Sequence, residues 1–124
     1  MSLILIVEDN PRNMKLVRDV LQVKGHTTLE AVTGEEGIAF ALAHQPNLIL
    51  MDIQLPGING IDALRALRAD PATAKIPVIA VTASVMQQDR KLIIEAGFDG
   101  YLGKPINLVE FLAAVNEMLA RPVA

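Results

Sequence analysis

Short apolar runs alternate along the chain with longer segments in which apolar residues recur at helical spacing. The runs at Leu3–Val7, Leu48–Met51 and Val78–Val81 are almost continuously apolar, which is typical of parallel strands covered on both faces. The runs at Thr27–Ala31 and Gly100–Leu102 are more mixed and are predicted to lie near the edges of the sheet. The pattern therefore predicts a (βα)5 alternation, an α/β fold in which helices cover both faces of a parallel five-stranded sheet.

The segments between the runs carry residues that favour helix ends. The predicted N-terminal caps are Asn10 before Pro11, Thr33 in a capping box with Glu36, Ser84, and Asn107 with Glu110. The predicted ends lie at Gly25, Pro46, Asp70-Pro71 and Gly97. The apolar positions expected on the helices are Met14, Val17 and Leu21; Ile38, Ala41 and Leu42; Ile61, Leu64 and Leu67; Leu92, Ile93 and Ala96; and Phe111, Leu112, Val115 and Leu119. Since no linker or repeat interrupts the alternation, residues 1–124 are predicted to form a single domain without an output domain.

Composition narrows the classes of function. The chain is 52% hydrophobic but only 3% aromatic, so its core is expected to be aliphatic. Cysteine is absent, which excludes thiolate metal sites and cysteine nucleophiles. The net charge of −3 disfavours non-specific binding to nucleic acid. The apolar runs are too short to span a membrane and no secretion signal is evident, so a cytoplasmic location is expected.

Polar side chains follow four of the predicted strands. Glu8 and Asp9 follow the first, Asp52 the third, Thr82 the fourth and Lys104 the fifth. Because ligands bind at the carboxyl ends of strands in open α/β sheets, these side chains are expected to share one rim. Several carboxylates in one pocket repel each other unless a cation binds there, and all-oxygen ligands favour Mg²⁺, or Mn²⁺ in its place. The carboxylate of Asp52 is then a candidate nucleophile for phosphoryl transfer.

Each of these residues also has an ordinary structural interpretation. Glu8 or Asp9 alone is typical of a charge at a helix N-terminus, and Thr82 can simply end a strand. Lys104 beside Pro105 can be a solvated lysine in a turn. The functional prediction depends on their joint appearance at successive strand ends.

Four segments together resemble the receiver domain of two-component response regulators, over nearly the whole chain. They are Leu5–Asn10, Leu50–Pro56, Val81–Ala83 and Tyr101–Pro105. The similarity is greatest to single-domain regulators of the DivK type and to the receivers of hybrid kinases. The resemblance implies the doubly wound, flavodoxin-like strand order 2-1-3-4-5, which the alternation alone does not determine.

The resemblance also implies roles at the acidic rim. Asp52 matches the phosphoacceptor, and Asp9 and Asp52 match direct metal ligands together with the backbone carbonyl of Gln54. Glu8 matches the acidic residue that holds the metal through water. These roles imply bound Mg²⁺ as the cofactor.

Further roles follow along the last two strands. Lys104, Thr82 and Ala83 match the groups that bind the phosphoryl oxygens, and the bond between Lys104 and Pro105 matches a cis peptide. Thr82 and Tyr101 match a switch pair. The positions two residues after Asp52 and Thr82 are predicted to tune dephosphorylation; they are Gln54 and Ser84.

The resemblance implies two kinds of protein partner. A histidine kinase or histidine phosphotransfer protein is expected to dock near the rim, with Arg12, Met14 and Ile106 as candidate contacts, although core packing competes as the interpretation of Met14. A downstream protein target is expected to bind the fourth helix, fifth strand and fifth helix. The candidate apolar contacts there are Met86, Ile93 and Tyr101. No nucleic acid or membrane partner is expected.

Two other classes of protein are disfavoured by the sequence, and two related alternatives stay open. A haloacid-dehalogenase-type phosphatase needs an acid two residues after the nucleophile, where this chain has Gln54. A dinucleotide-binding module needs a glycine-rich turn where this chain has Glu8 and Asp9. A metal-free pseudo-receiver and a receiver fragment of a hybrid kinase stay open. The chain is expected to act only on its own phosphoryl group and not as a turnover enzyme.

Overall fold

Five parallel strands and five helices alternate along the chain. The computed structural model describes residues 2–83 and 87–120, without the side chains of 87–90. The elements are β1 (Leu3–Val7), α1 (Pro11–Val23), β2 (Thr27–Ala31), α2 (Gly34–His44), β3 (Leu48–Asp52), α3 (Gly60–Ala69), β4 (Val78–Thr82), α4 (Gln87–Ala96), β5 (Gly100–Gly103) and α5 (Leu108–Ala120). The sheet order is β2-β1-β3-β4-β5, which confirms the predicted doubly wound topology with β2 and β5 at the edges. No described helix has the length and apolar character required to cross a membrane.

Successive side chains of the central strands alternate between two apolar layers. Leu5 and Val7 of β1 pack in the layer under α2, α3 and α4. Ile4 and Ile6 pack in the opposite layer, against α1 and α5. Because consecutive strand residues point to opposite faces, a fully apolar strand is buried by helices on both sides. This explains why β1, β3 and β4 have almost no polar positions.

Three strands continue one residue further than the sequence predicts. Asp52 is paired with Val81, and Thr82 is paired with Gly103, so these residues lie inside the sheet. The prediction stopped at the last apolar residue of each run. A polar residue at the end of a strand can still pair with its neighbour, because the ladder uses backbone groups. Asp52 and Thr82 are therefore held by the sheet rather than by a loop.

Most predicted caps are present. The Asn10 side chain accepts hydrogen bonds from Arg12 and Asn13, and Thr33 accepts one from Glu36. The Asn107 side chain accepts from the N–H of Glu110. Gly25 and Gly97, which follow α1 and α4, have positive φ angles of 89° and 107°. Ser84, the predicted cap of α4, lies outside the described residues.

The predicted core face of α4 is partly wrong. Ile93 is 3% exposed, whereas Leu92 is 57% exposed and Ile94 is 60% exposed. Adjacent helical residues differ by about 100° in direction, so neighbouring apolar residues cannot all face the sheet. The correction also removes Ile93 as a candidate surface contact. In α5, similarly, Met118 is buried and the expected Leu119 only partly so.

Arg68, near the end of α3, contacts the segments just before β4 and β5 and just after α4. These contacts lie at the end of the sheet opposite the acidic rim. Its guanidinium donates to the carbonyls of Ala74 and Ile76 and to the carbonyl of Gly97, which follows α4. It also pairs at 2.8 Å with Asp99, whose carboxylate accepts the N–H of Val78 at the start of β4. These contacts fix where β4 and β5 begin, and so help to set the height at which both strands end.

Candidate functional site

Three carboxylates meet where β1 and β3 end. One carboxylate oxygen from each of Glu8, Asp9 and Asp52 can be chosen so that all lie within 4.8 Å of one another. Glu8 is 4% exposed and Asp52 is 3% exposed, whereas Asp9 is exposed to solvent. The structure therefore brings together the acidic residues that the sequence placed at separate strand ends.

Lys104 connects the two buried carboxylates. Its Nζ lies 2.9 Å from Glu8 Oε1 and 2.9 Å from Asp52 Oδ2. The lysine follows β5, and its own N–H donates to the Thr82 carbonyl at 2.9 Å, which extends the ladder with β4. Burial lowers the pKa of Lys104, but the hydrogen bonds and charges of Asp52 and Glu8 together raise it by more than burial lowers it. The net shift of the pKa is therefore upward. The ammonium therefore stays charged at neutral pH.

The carboxylate of Asp52 has a different donor on each oxygen. Oδ2 faces Lys104, and Oδ1 accepts the N–H of Gln54 at 3.0 Å. The N–H of Ile53 donates to the carbonyl of Val81 at 3.0 Å, which holds the start of the β3–α3 loop, residues 53–59, against β4. The side chain is thus oriented by both the last strand and the loop that follows its own strand.

Glu8 is the carboxylate of this group whose charged form is disfavoured by its surroundings. Burial, followed by the nearby Asp52, raises its pKa from 4.5 to about 7, although Lys104 and the N–H of Asn10 oppose the shift. That N–H donates to Glu8 Oε2 at 3.1 Å. One ammonium does not balance three carboxylates, so the site carries excess negative charge at neutral pH. An oxygen-only donor set with this excess fits a hard divalent cation.

The predicted switch and phosphoryl-binding residues lie on the neighbouring strands. Thr82 is buried at the end of β4, and Ala83 directly after it is exposed. Tyr101 is half-buried on β5 and packs against the core layer under α4. The peptide bond between Lys104 and Pro105 is cis. Of the other predicted positions, Ser84 and Met86 lie outside the described residues.

The three candidate docking residues differ in accessibility. Arg12 is exposed and Ile106 is half-buried. Met14 is only 6% exposed and belongs to the core layer with Val17 and Leu21, so it is a packing residue and not a contact surface. At helical spacing the three apolar residues share one face of α1, and that face is turned to the sheet.

Sequence reasoning missed a contact between α2 and the β3–α3 loop. The predicted capping box is present in a modified form: the N–H of Glu36 donates to the Thr33 side chain, but its carboxylate accepts the N–H of Val32, one residue before the cap. The adjacent Glu35 instead accepts the N–H of Ile58 in the loop. The available signal was a second glutamate beside the one that the capping box needs, but the loop it reaches is 23 residues away in sequence.

Comparisons with known proteins give concordant results. A family model described as "Response regulator receiver domain" matches residues 4–116. The chain is 41% identical over 116 residues to the polar-differentiation response regulator DivK of Brucella ovis, and the match covers 94% of each protein. It thus extends over both the acidic rim and the core.

Two solved structures show the same fold. The first is the receiver domain of a sensor histidine kinase from Pseudomonas aeruginosa, crystallised with a magnesium ion coordinated in its active-site cleft. It has a TM-score of 0.90 and 32% identity, and the match covers 97% of this chain and 98% of that one. The second, a putative response regulator from Chloroflexus aurantiacus, has a TM-score of 0.92 and 30% identity with the same coverage.

Proposed function

These matches confirm the predicted resemblance: the chain belongs to the response regulator receiver domain family, and on that premise we propose that it is a phosphoacceptor signalling switch. Asp52 receives a phosphoryl group from a phosphohistidine on a kinase or phosphotransfer partner. The observation that carries the proposal is the contact of Lys104 with Asp52 at 2.9 Å inside a cluster of three carboxylates.

The transfer exchanges one bond to phosphorus for another. A carboxylate oxygen of Asp52 attacks the phosphorus, the phosphorus–nitrogen bond breaks, and the imidazole of the partner leaves with the electron pair and takes up a proton. Lys104 is placed to pair with the phosphoryl oxygens, since its Nζ already contacts an oxygen of the nucleophile.

Bound Mg²⁺ would neutralise charge on the phosphoryl oxygens during the transfer. The residues that would hold it are Asp9, Asp52 and the backbone carbonyl of Gln54, with Glu8 acting through water. The supporting observations are the excess negative charge of the carboxylate cluster and the all-oxygen donor set. Mn²⁺ has the same ligand preferences and is the expected substitute.

We also propose that the chemistry is limited to the protein's own phosphoryl group. Turnover of free phosphoesters needs an acid beside the nucleophile to protonate the leaving group, and the exposed Gln54 cannot supply that proton. Gln54 and Ser84 are instead proposed to tune how fast water removes the phosphoryl group from Asp52.

Intact mass after incubation with a small phosphodonor tests the acceptor. With acetyl phosphate and Mg²⁺ the protein is expected to gain one phosphoryl group. Asp52→Asn and the protein in chelator are expected to gain none. Phosphoramidate, which has a phosphorus–nitrogen bond, serves as the second donor. Uptake by Asp52→Asn would contradict the assignment, and no uptake from either donor would favour a pseudo-receiver that acts only by binding proteins.

The output step is proposed to run from Thr82 to Tyr101. The Thr82 hydroxyl turns to donate to the phosphoryl group, and Tyr101 moves inward into the space it leaves. The altered surface includes α4 and β5, where Leu92 and Ile94 replace Ile93 as exposed apolar contacts. A downstream protein is the proposed partner.

Tyrosine fluorescence checks this coupling, because the chain has one tyrosine and no tryptophan. The emission of Tyr101 is expected to change when the wild type is phosphorylated. Thr82→Ala should be phosphorylated, by mass, with most of that change lost, and Thr82→Ser should retain it because the hydroxyl remains. An unaltered response in Thr82→Ala would disprove the coupling.

A further inference from the structure

The β3–α3 loop closes at its base, beside the end of β3. The N–H of Gly60 donates to the carbonyl of Ile53 at 3.0 Å, which closes the loop at its base. A Cβ at Gly60 would lie 2.5 Å from the Asp52 carbonyl oxygen, so a larger residue does not fit there. The base of the loop is therefore held against the backbone of the proposed phosphoacceptor.

The far side of the loop is held by the first turn of α2. A Cβ at Gly34 would lie 2.8 Å from the side chain of Ile58, so the glycine makes room for that residue. The Glu35 carboxylate accepts the N–H of Ile58 at 3.4 Å. It also covers the turn at Gly57, where φ is 76° and an added Cβ would lie 2.9 Å from Glu35 Oε2.

Glu35 is not required for the helix cap. Glu36 already serves this end of the helix: its N–H donates to the Thr33 side chain at 3.1 Å, and its carboxylate accepts the N–H of Val32, the residue before the cap, at 3.1 Å. A carboxylate in the first turn is favoured by the helix dipole wherever its side chain points. The hydrogen bond from the Ile58 N–H to Glu35 therefore links α2 to the loop that borders the acidic rim.

We propose that Glu35 is a positioning residue for the acidic site, an inference that rests on the proposed function. Between its two held sides the loop presents Gln54, whose N–H orients Asp52 Oδ1 at 3.0 Å. The carbonyl of the same residue is the proposed metal ligand. By fixing Ile58, Glu35 limits how far the loop can swing away from Asp52, and so keeps the backbone of Gln54 in place for the cation.

Titration calorimetry with Mg²⁺ alone tests the proposal. Glu35→Ala is expected to weaken Mg²⁺ binding about threefold to tenfold, the effect of one lost hydrogen bond transmitted to the site. Glu35→Gln should bind within about twofold of the wild type, because its amide oxygen can accept the same N–H. Amide NMR should show Gln54 and Ile58 displaced in Glu35→Ala and restored in Glu35→Gln.

Glu36→Ala is the matched control. It removes the carboxylate of the same turn that accepts the Val32 N–H, while the Thr33 cap keeps its bond from the backbone N–H of residue 36, so a small drop in melting temperature and an unchanged Mg²⁺ affinity are expected. If Glu36→Ala weakened Mg²⁺ binding as much as Glu35→Ala does, a loosened first turn of α2 would be enough to explain the effect. That result would overturn the proposal. If Glu35→Gln weakened Mg²⁺ binding as much as Glu35→Ala does, the effect would come from the lost charge and not from the hydrogen bond to Ile58. That result would also overturn the proposal. A wild type that binds no Mg²⁺ would instead refute the proposed metal site.

Discussion

Replacing Lys104 with methionine is expected to destabilise the metal-free protein by about 3–5 kcal/mol at about pH 8, the cost of leaving a buried charge without its partner. The lysine Nζ contacts both Glu8 and Asp52 at 2.9 Å, and both carboxylates are almost fully buried. Methionine fills a similar volume without charge. The lost unfolding free energy therefore arises from the two carboxylates left without a positive partner, and not from a cavity.

Urea unfolding in chelator measures the effect, and the same titration with Mg²⁺ should recover part of it because the cation replaces the missing positive charge. Lys91→Met is the matched control, since that lysine lies on the surface of α4 at 3.9 Å from Glu95. An exposed pair of this kind is worth about 0–1 kcal/mol. A Lys104→Met protein as stable as the control would show that solvent, and not Lys104, compensates the buried carboxylates.

Replacing Glu8 with glutamine is expected to stabilise the metal-free protein at neutral and higher pH. Burial and the neighbouring Asp52 raise the pKa of Glu8 from 4.5 to about 7, so the folded protein holds this proton more tightly than the unfolded chain does. The resulting stabilisation is complete below about pH 4.5 and is lost as the pH rises through 7. The loss amounts to about 3 kcal/mol. Glutamine resembles the protonated acid at every pH and avoids this loss.

The difference in unfolding free energy between Glu8→Gln and the wild type should therefore be small near pH 5. It should grow to about 3 kcal/mol near pH 8, in chelator. Glu30→Gln, at an exposed residue on the edge strand β2, is the control for the same change of side chain at the surface. Glu8→Gln should also bind Mg²⁺ more weakly. A difference that does not vary with pH would contradict the raised pKa.

Several features of the protein were accessible from local sequence signals. The buried strands β1, β3 and β4 have continuous apolar runs, and the caps at Asn10 and Thr33 depend on residues within one helical turn. The gathering of Glu8, Asp52 and Lys104 at one rim was also predictable, because parallel strands bring their carboxyl ends to the same end of the sheet. These features involve neighbours in the chain or a general rule of the fold, so composition and spacing are enough to predict them.

Other features depended on contacts between distant segments. The burial of Ile93 rather than Leu92 is set by the rotation of α4 on the sheet, which apolar residues in a row do not specify. The contact of Lys104 with Glu8 as well as Asp52 needs β1, β3 and β5 to end at matching heights. The contact of Glu35 with Ile58 needs α2 to lie beside the β3–α3 loop. Local sequence thus determined the elements and the types of residue at the rim, whereas tertiary packing decided which charges meet, because distances across the sheet are fixed only when both helical layers are in place.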